Sequence, residues 1–364
     1  MDLHCTEGKR KPMDRGKFRL AIALDGGTTN TRARLLRDGQ VVATSRRAVG
    51  VRDSVLTTGR AGLAEAVCNA LAEVLLATDG HAPEVIVAAG MLSSEVGLTA
   101  VPHVLAPAGP RELARGSVVC HLPEVADQPI LFIPGVRTPP SAGPDGWADA
   151  DLMRGEECET LGAWSLLAES ERQAGRSASP HLATASSRTV FLWPGSHTKA
   201  VEVDEEGRIL RSYTSLAGEL TGALAAHTLL AASLPEGLPD APDPEAVAAG
   251  ARLVARSGLG RAAFLVRIAA LSGVFKAHER ASFLVGAVIA DDVANLVTQP
   301  ILDAPACIWV GGRQPQRSLY GHWLRAQLQT PVFELDDDVA NRASAIGALA
   351  VAAQFGQETR PSSS

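Results

Sequence analysis

The sequence lacks any pairing pattern among its cysteines. Cys5, Cys68, Cys120, Cys158 and Cys307 are odd in number, far apart and nowhere spaced as C-x-x-C, which argues against a zinc site or a redox pair and fits reduced thiols in a cytosol. Positive charge is not in excess either: 34 Lys and Arg stand against 40 Asp and Glu, for a net charge of -6. That balance disfavours a general nucleic-acid-binding surface. No apolar run approaches the ~20 residues needed to span a bilayer, and residues 1–17 are polar, without the apolar stretch of a signal peptide. The expectation is a cytoplasmic protein with neither membrane nor nucleic acid as partner. What the chain does have is material for burial, since hydrophobic residues make up 46% and charged ones 20%. Global disorder is excluded. At roughly 100 to 200 residues per domain, this length predicts two lobes rather than one core.

The chain also repeats itself. An apolar strand from Phe18 enters the small turn Asp25-Gly26-Gly27-Thr28-Thr29-Asn30; a second strand, the turn pair Asp38-Gly39 and a third strand from Gln40 follow. Thr189 to Trp193 opens the same series, with Pro194-Gly195-Ser196-His197-Thr198-Lys199 as its turn and Glu206-Gly207 as its acidic-Gly pair. At one constant offset Gly27 falls on Gly195, Thr28 on Ser196, Gly39 on Gly207 and Leu24 on Leu192. Duplication accounts for this order better than chance. After the first copy, periodicity predicts a helix over 62–77, strands over 85–89 and 130–134, and a helix over 156–167. After the second it predicts helices over 219–232, 244–257, 261–271, 279–296, 315–329 and 338–354, with strands over 306–310 and 332–335. Residues 170–188, rich in Ser, Ala and Arg without periodicity, read as a linker. The expected division is an extension (1–17), an N-terminal lobe (18–169), the linker (170–188), a C-terminal lobe (189–356) and a tail (357–364). The fold class is α/β, with two duplicated lobes, each opening with a three-stranded meander, around a cleft.

The turn Asp25 to Asn30 is the sharpest chemical signal. Two glycines let backbone N–H groups approach an anion, the hydroxyls of Thr28 and Thr29 add donors, and Asp25 at the strand end can hold a hydrated cation. This describes a phosphate and Mg²⁺ cradle. It is not a Walker loop, because no G-K-[ST] follows, and its glycine spacing is wrong for a dinucleotide fingerprint. Two such turns, one per lobe, resemble the nucleotide clamp of the actin-like ATPase and sugar-kinase superfamily, with its ribonuclease H-like fold. The segments Ala89 to Ser94, Ile133-Pro134-Gly135, Met153-Arg154-Gly155-Glu156-Glu157 with Leu161-Gly162-Ala163, Pro194 to Lys199 and Ala217 to Leu220 stand in the order seen in 2-dehydro-3-deoxygalactonokinases, and the likeness runs from about Phe18 to Phe355. The chain departs from that pattern at Gly26, where the family usually has Trp, and at Ala200, where an aromatic is usual.

The resemblance implies phosphorylation of the terminal hydroxyl of a 2-keto-3-deoxy sugar acid, with ATP and Mg²⁺ as cofactors. Such a transfer needs positioning, neutralised phosphates and a carboxylate to take the alcohol proton. Glu156 is the first candidate base, Glu157 the second and Asp25 the third, with Asp25 better suited to the metal. Taken alone, the Glu pair reads better as charge complementing a helix N-terminus, and only the resemblance reverses that order. Arg154, Ser93 and Ser94 are candidates for the substrate carboxylate, the serines being as well explained by a capped turn. Gly27, Thr28, Thr29 and Asn30 are assigned to the nucleotide, as are Gly195, Ser196, His197 and Lys199. His197 reads better as a hydrogen-bonded turn residue than as a base. Gly311-Gly312, closing a buried strand, would admit an adenine or ribose, or simply make a turn. Rival readings are a kinase for another sugar or amino sugar and an actin-like ATPase switch module. Partners are then the sugar acid and ATP, and assembly into a homo-oligomer stays open.

Overall fold

The computed structural model describes residues 18–53, 59–173 and 188–358. The expected extension (1–17), nearly all of the expected tail and most of the expected linker lie outside the described residues. Packing divides the chain into two units: 18–53, 59–173, 206–211 and 337–358 in the first, 188–205 and 212–336 in the second.

The first unit opens with the meander β1 (Leu20–Gly26), β2 (Thr31–Arg37) and β3 (Gln40–Arg47). Asp38 and Gly39 both adopt positive φ, 52° and 77°, the backbone that a two-residue hairpin requires and an Asp-Gly pair tolerates. A short α1 (Val51–Asp53), α2 (Gly59–Leu75) and β4 (Val85–Gly90) follow. Then come β5 (Val104–Leu105), α3 (Pro110–Gly116), β6 (Val118–Cys120), β7 (Ile130–Phe132), β8 (Val136–Thr138), β9 (Asp151–Met153) and α4 (Glu156–Gln173). The main sheet has the order β3-β2-β1-β4-β7-β6, with β4 and β7 parallel to β1. Being central, β1 is apolar on both faces, whereas the edge strand β3 alternates.

The second unit repeats the plan with β10 (Thr189–Trp193), β11 (Thr198–Val203), β12 (Ile209–Ser215, of which residues 209–211 group with the first unit), α5 (Ala217–His227), α6 (Pro244–Ser272), α7 (Ala277–Leu296), β13 (Cys307–Val310), α8 (Gln316–Gln327) and β14 (Val332–Glu334). Its sheet runs β12-β11-β10-β13-β14, with β13 and β14 parallel to β10. Counted within its unit the second sheet has the order 3-2-1-4-5, and the first shares 3-2-1-4 and a further parallel strand (β7) before adding the antiparallel edge strand β6, so the expected duplication and ribonuclease H-like class are what the fold shows. Gly258, at φ 75°, breaks α6 where the sequence reading separated two helices.

Three differences from expectation have physical causes. The last helix, α9 (Asp337–Glu358), groups with the first unit, so the second unit ends before it, not at residue 356. It lies on α4 through glycines: a Cβ on Gly162 would strike the carbonyl of Ala343, and one on Gly347 that of Cys158. The sheet β5-β8-β9, with strands of two or three residues, is too short to show a period. Finally, the 20-residue span Gly59–Thr78, which holds an 18-residue window of mean hydropathy 1.4, is long and apolar enough to cross a membrane, contrary to the reading of the sequence. Its apolar character is accounted for by the core: Leu63, Val67, Ala70, Leu71 and Val74 are buried with Leu20, Ile22, Ile86 and Phe132. The four described cysteines are free thiols.

Candidate active site

In each unit the expected residues gather at the carboxyl ends of the parallel strands, where open α/β sheets bind ligands. In the first unit Gly26 pairs with Gly90 across β1 and β4. A side chain on Gly90 (φ 69°) would collide with the carbonyl of Gly26, and one on Gly26 would run into Leu92. Leu92 thus fills the space beside Gly26, where the related pattern carries Trp.

The turn after β1 is held from behind. Gly27 N–H donates to the Asn30 carbonyl (2.8 Å), while the carbonyls of Gly27 and Thr28 accept from the amides of Val51 (3.2 Å) and Arg52 (3.0 Å). The carbonyls are therefore spent. The amides of Thr28 and Thr29 and the Thr28 hydroxyl make no hydrogen bond to another described residue. Asn30 Nδ2 donates to Thr29 Oγ1 (2.8 Å), leaving that hydroxyl's proton for an outside acceptor, and Asn30 Oδ1 accepts from Arg46 Nε (3.0 Å) and Nη2 (2.8 Å). Asp25 lies 3.9 Å from Arg32. Among the described residues no group of three His, Cys, Asp or Glu side chains could hold a metal ion. Asp25 is still suited to Mg²⁺, which keeps several waters and commonly takes one or two carboxylates plus phosphate oxygens.

Arg154, Gly155, Glu156 and Glu157 form the entry to α4. Gly155 has φ 122°, and a Cβ there would sit 3.4 Å from Gly90 Cα, so this entry abuts the end of β4. Arg154 does not offer its fork to a ligand. Its Nη1 donates to the Ser93 carbonyl (2.7 Å) and Ser93 Oγ (2.8 Å), and its Nη2 to the Val101 carbonyl (2.8 Å) and His103 Nδ1 (3.2 Å). Four of the five guanidinium N–H groups are used to clasp the segment after β4. Ser93 Oγ also donates to the Gly90 carbonyl (3.0 Å) and Ser94 Oγ to that of Met91 (2.7 Å), which is the capped-turn alternative.

The two glutamates differ. Glu157 is wholly buried, accepts from Gly155 N–H (2.7 Å), and is pushed up to about 7 by desolvation and then by Glu156. Glu156, half-buried, accepts from Arg154 N–H (3.2 Å). One turn on, Glu159 is raised to about 8 by desolvation, Asp25 and Glu156, against the opposing pull of Arg32 and Arg34. Glu159, Arg34 and Arg46 were missed in the sequence because their relevance comes from register, not from motif.

In the second unit, Gly311 and Gly312 allow the ends of β13 and β10 to meet. A Cβ on Gly311 would enter the Trp193 ring, and one on Gly312 (φ 75°) would lie 2.7 Å from the Pro194 carbonyl. Gly218, in the first turn of α5, likewise has room for no side chain against the Gly195 carbonyl, and Glu219 N–H donates to the Ser196 carbonyl (2.8 Å). His197 Nε2 lies 3.3 Å from Glu219 Oε1, consistent with a bonded turn residue. Lys199 is 3% exposed and donates to Thr214 Oγ1 (2.6 Å). Its ammonium is used inside the unit. Ala200 is buried in the core.

Comparison with known proteins places this geometry. The family model described as 2-keto-3-deoxy-galactonokinase matches residues 25–347. A crystal structure from Sinorhizobium meliloti, provisionally assigned as a 2-dehydro-3-deoxygalactonokinase, is similar at 24% identity and TM-score 0.67, covering 91% of this chain and 98% of that one. At that identity the likeness establishes the fold. A ROK hexokinase from Thermus thermophilus (17% identity, TM-score 0.34, 91% and 98% covered) is too distant to carry an argument. So is the activator of 2-hydroxyisocaproyl-CoA dehydratase from Clostridium difficile (12%, 0.44, 95% and 99%). No curated protein matches the chain.

Proposed function

The chain belongs to the 2-keto-3-deoxy-galactonokinase family of carbohydrate kinases, and on that premise we propose that it transfers the γ-phosphoryl group of ATP to the terminal hydroxyl of 2-dehydro-3-deoxy-D-galactonate in the cytosol. The observation that carries this reading is the extent of the match, which opens on Asp25 and runs to residue 347. It takes in both Gly/hydroxyl turns and the whole entry to α4.

The amides and hydroxyls of Thr28 and Thr29 are the phosphate donors, because no described residue accepts a hydrogen bond from them. Asp25 would hold Mg²⁺, which supplies charge neutralisation on the phosphates. Gly195, Ser196 and His197 form the second nucleotide contact, and Gly311-Gly312 the approach for adenosine. Arg154, with Ser93, acts on the sugar acid by fixing the segment from Ser93 to His103. In the transfer, the substrate hydroxyl oxygen bonds to the γ-phosphorus as the bond from that phosphorus to the bridging oxygen breaks. The electron pair leaves with ADP, and the hydroxyl proton passes to a carboxylate. Glu156 is that base, since Glu157 is wholly buried and Asp25 is committed to the metal.

Coupled ADP release, measured over a panel of hexoses, amino sugars and 2-keto-3-deoxy acids, tests the assignment. Turnover dependent on the galactonate-derived acid is expected. Equal or better turnover with a hexose would move the substrate, and ATP consumption without any acceptor would indicate a switch ATPase.

A further inference from the structure

β3 carries two consecutive arginines with opposite fates. Arg47 is spent on its own lobe: Nη2 pairs with Glu73 (2.8 Å) and donates to the Asn69 carbonyl (3.1 Å), and Nη1 donates to Ser45 Oγ (2.8 Å). Arg46 is exposed and has no carboxylate partner among the described residues. Instead Nε and Nη2 both donate to one neutral atom, Asn30 Oδ1, in the phosphate turn itself, while Nη1 makes no hydrogen bond to a described residue. The register places Arg46 opposite Arg32, a like-charge pair that is unfavourable unless something negative answers it. Arg32 has Asp25. Arg46 has only the amide oxygen that docks it.

A guanidinium latched to a phosphate turn, un-neutralised and with donors to spare, is arranged for a planar oxyanion. Resting on the kinase reading above, we propose that Arg46 is a catalytic residue whose guanidinium binds the terminal phosphoryl group of the nucleotide and neutralises the charge that spreads over its oxygens during transfer. Asn30 is its positioning residue, holding the guanidinium by Oδ1 and the Thr29 hydroxyl by Nδ2, so that one amide sets two donors.

Calorimetry with the full chain, Mg²⁺ and either ADP or an imido analogue of ATP tests this without turnover. Arg46→Ala should weaken the triphosphate analogue about tenfold or more and leave ADP within about twofold, because ADP lacks the group contacted. Arg46→Lys should fall between, keeping charge but losing the fork. Asn30→Asp, which supplies Arg46 with a counter-ion at unchanged shape, should reproduce the selective loss. Unchanged analogue affinity in a folded Arg46→Ala protein, while Thr28→Val weakens both nucleotides, would overturn the role of Arg46 and keep the kinase reading. Parallel loss of ADP and analogue in Arg46→Ala would overturn it too, by making Arg46 a mere support for the turn. A wild-type chain that binds neither nucleotide would overturn both.

Discussion

The two Gly/hydroxyl turns come from one duplicated plan, yet their surroundings have diverged. In the first, acceptors are satisfied from behind while the amides and hydroxyls of Thr28 and Thr29 are left for an outside acceptor, with Asp25 and Arg46 beside them. In the second, the carbonyls rest on the start of α5, His197 meets Glu219 and Lys199 is buried on Thr214. Duplication has kept the backbone and redistributed the charge. On the proposed reading the first turn serves chemistry and the second grip.

If that division holds, the largest effect should come from the entry to α4. Glu156→Gln keeps shape and removes proton acceptance, so turnover should fall roughly 10²- to 10⁴-fold with ATP affinity nearly unchanged. Near-normal turnover in that variant and a loss confined to Asp25→Asn would move the base to Asp25. Next, Thr28→Val removes one donor to a charged phosphate, and the Michaelis constant for ATP should rise about tenfold or more while that for the sugar acid stays put. Equal rises would show a turn that has lost its shape.

Smaller effects test the second unit and the buried carboxylates. Gly311→Ala forces a methyl into the Trp193 ring, and calorimetric melting should show a loss of about 1 to 3 kcal/mol. An unchanged melting temperature would mean the strand ends are not held together by that contact. The smallest concerns pH. Glu157 has its carboxyl raised from 4.5 to about 7, so the folded state binds this proton more tightly than the unfolded chain. The stability it brings is full below about pH 4.5 and is lost as pH rises through about 7. Glu157→Gln keeps an acceptor for Gly155 N–H without titrating. Its stability should therefore fall less than the wild type's between about pH 5 and about pH 8, by on the order of 1 to 3 kcal/mol. Parallel curves would contradict the buried charge cost.

Much of the fold was legible because it rests on long periodic elements and on Asp-Gly and Gly-Gly punctuation. The three-stranded sheet was not, since two residues of strand carry no period. The place of α9 was not, because a helix pattern reports a buried face and not which core buries it. Within the site, Asp25 to Asn30 announced themselves by composition, but Arg46 did not. Counting back from the Asp38-Gly39 turn would set Arg46 against Thr31, and only the bulge between Leu35 and Leu36 brings it opposite Arg32. Arg154 was legible as an important cation and misleading in its partner: no sequence pattern foretells that Ser93, Val101 and His103 use four of its donors.

The division of labour between the units is tested most directly by single-turnover phosphoryl transfer in two variants measured side by side. The account predicts that Glu156→Gln slows the chemical step by at least about 10²-fold at saturating ATP, whereas His197→Ala leaves that step within about twofold and raises only the ATP concentration needed to reach it. A chemical step slowed as much by His197→Ala as by Glu156→Gln, or slowed by neither, would contradict it.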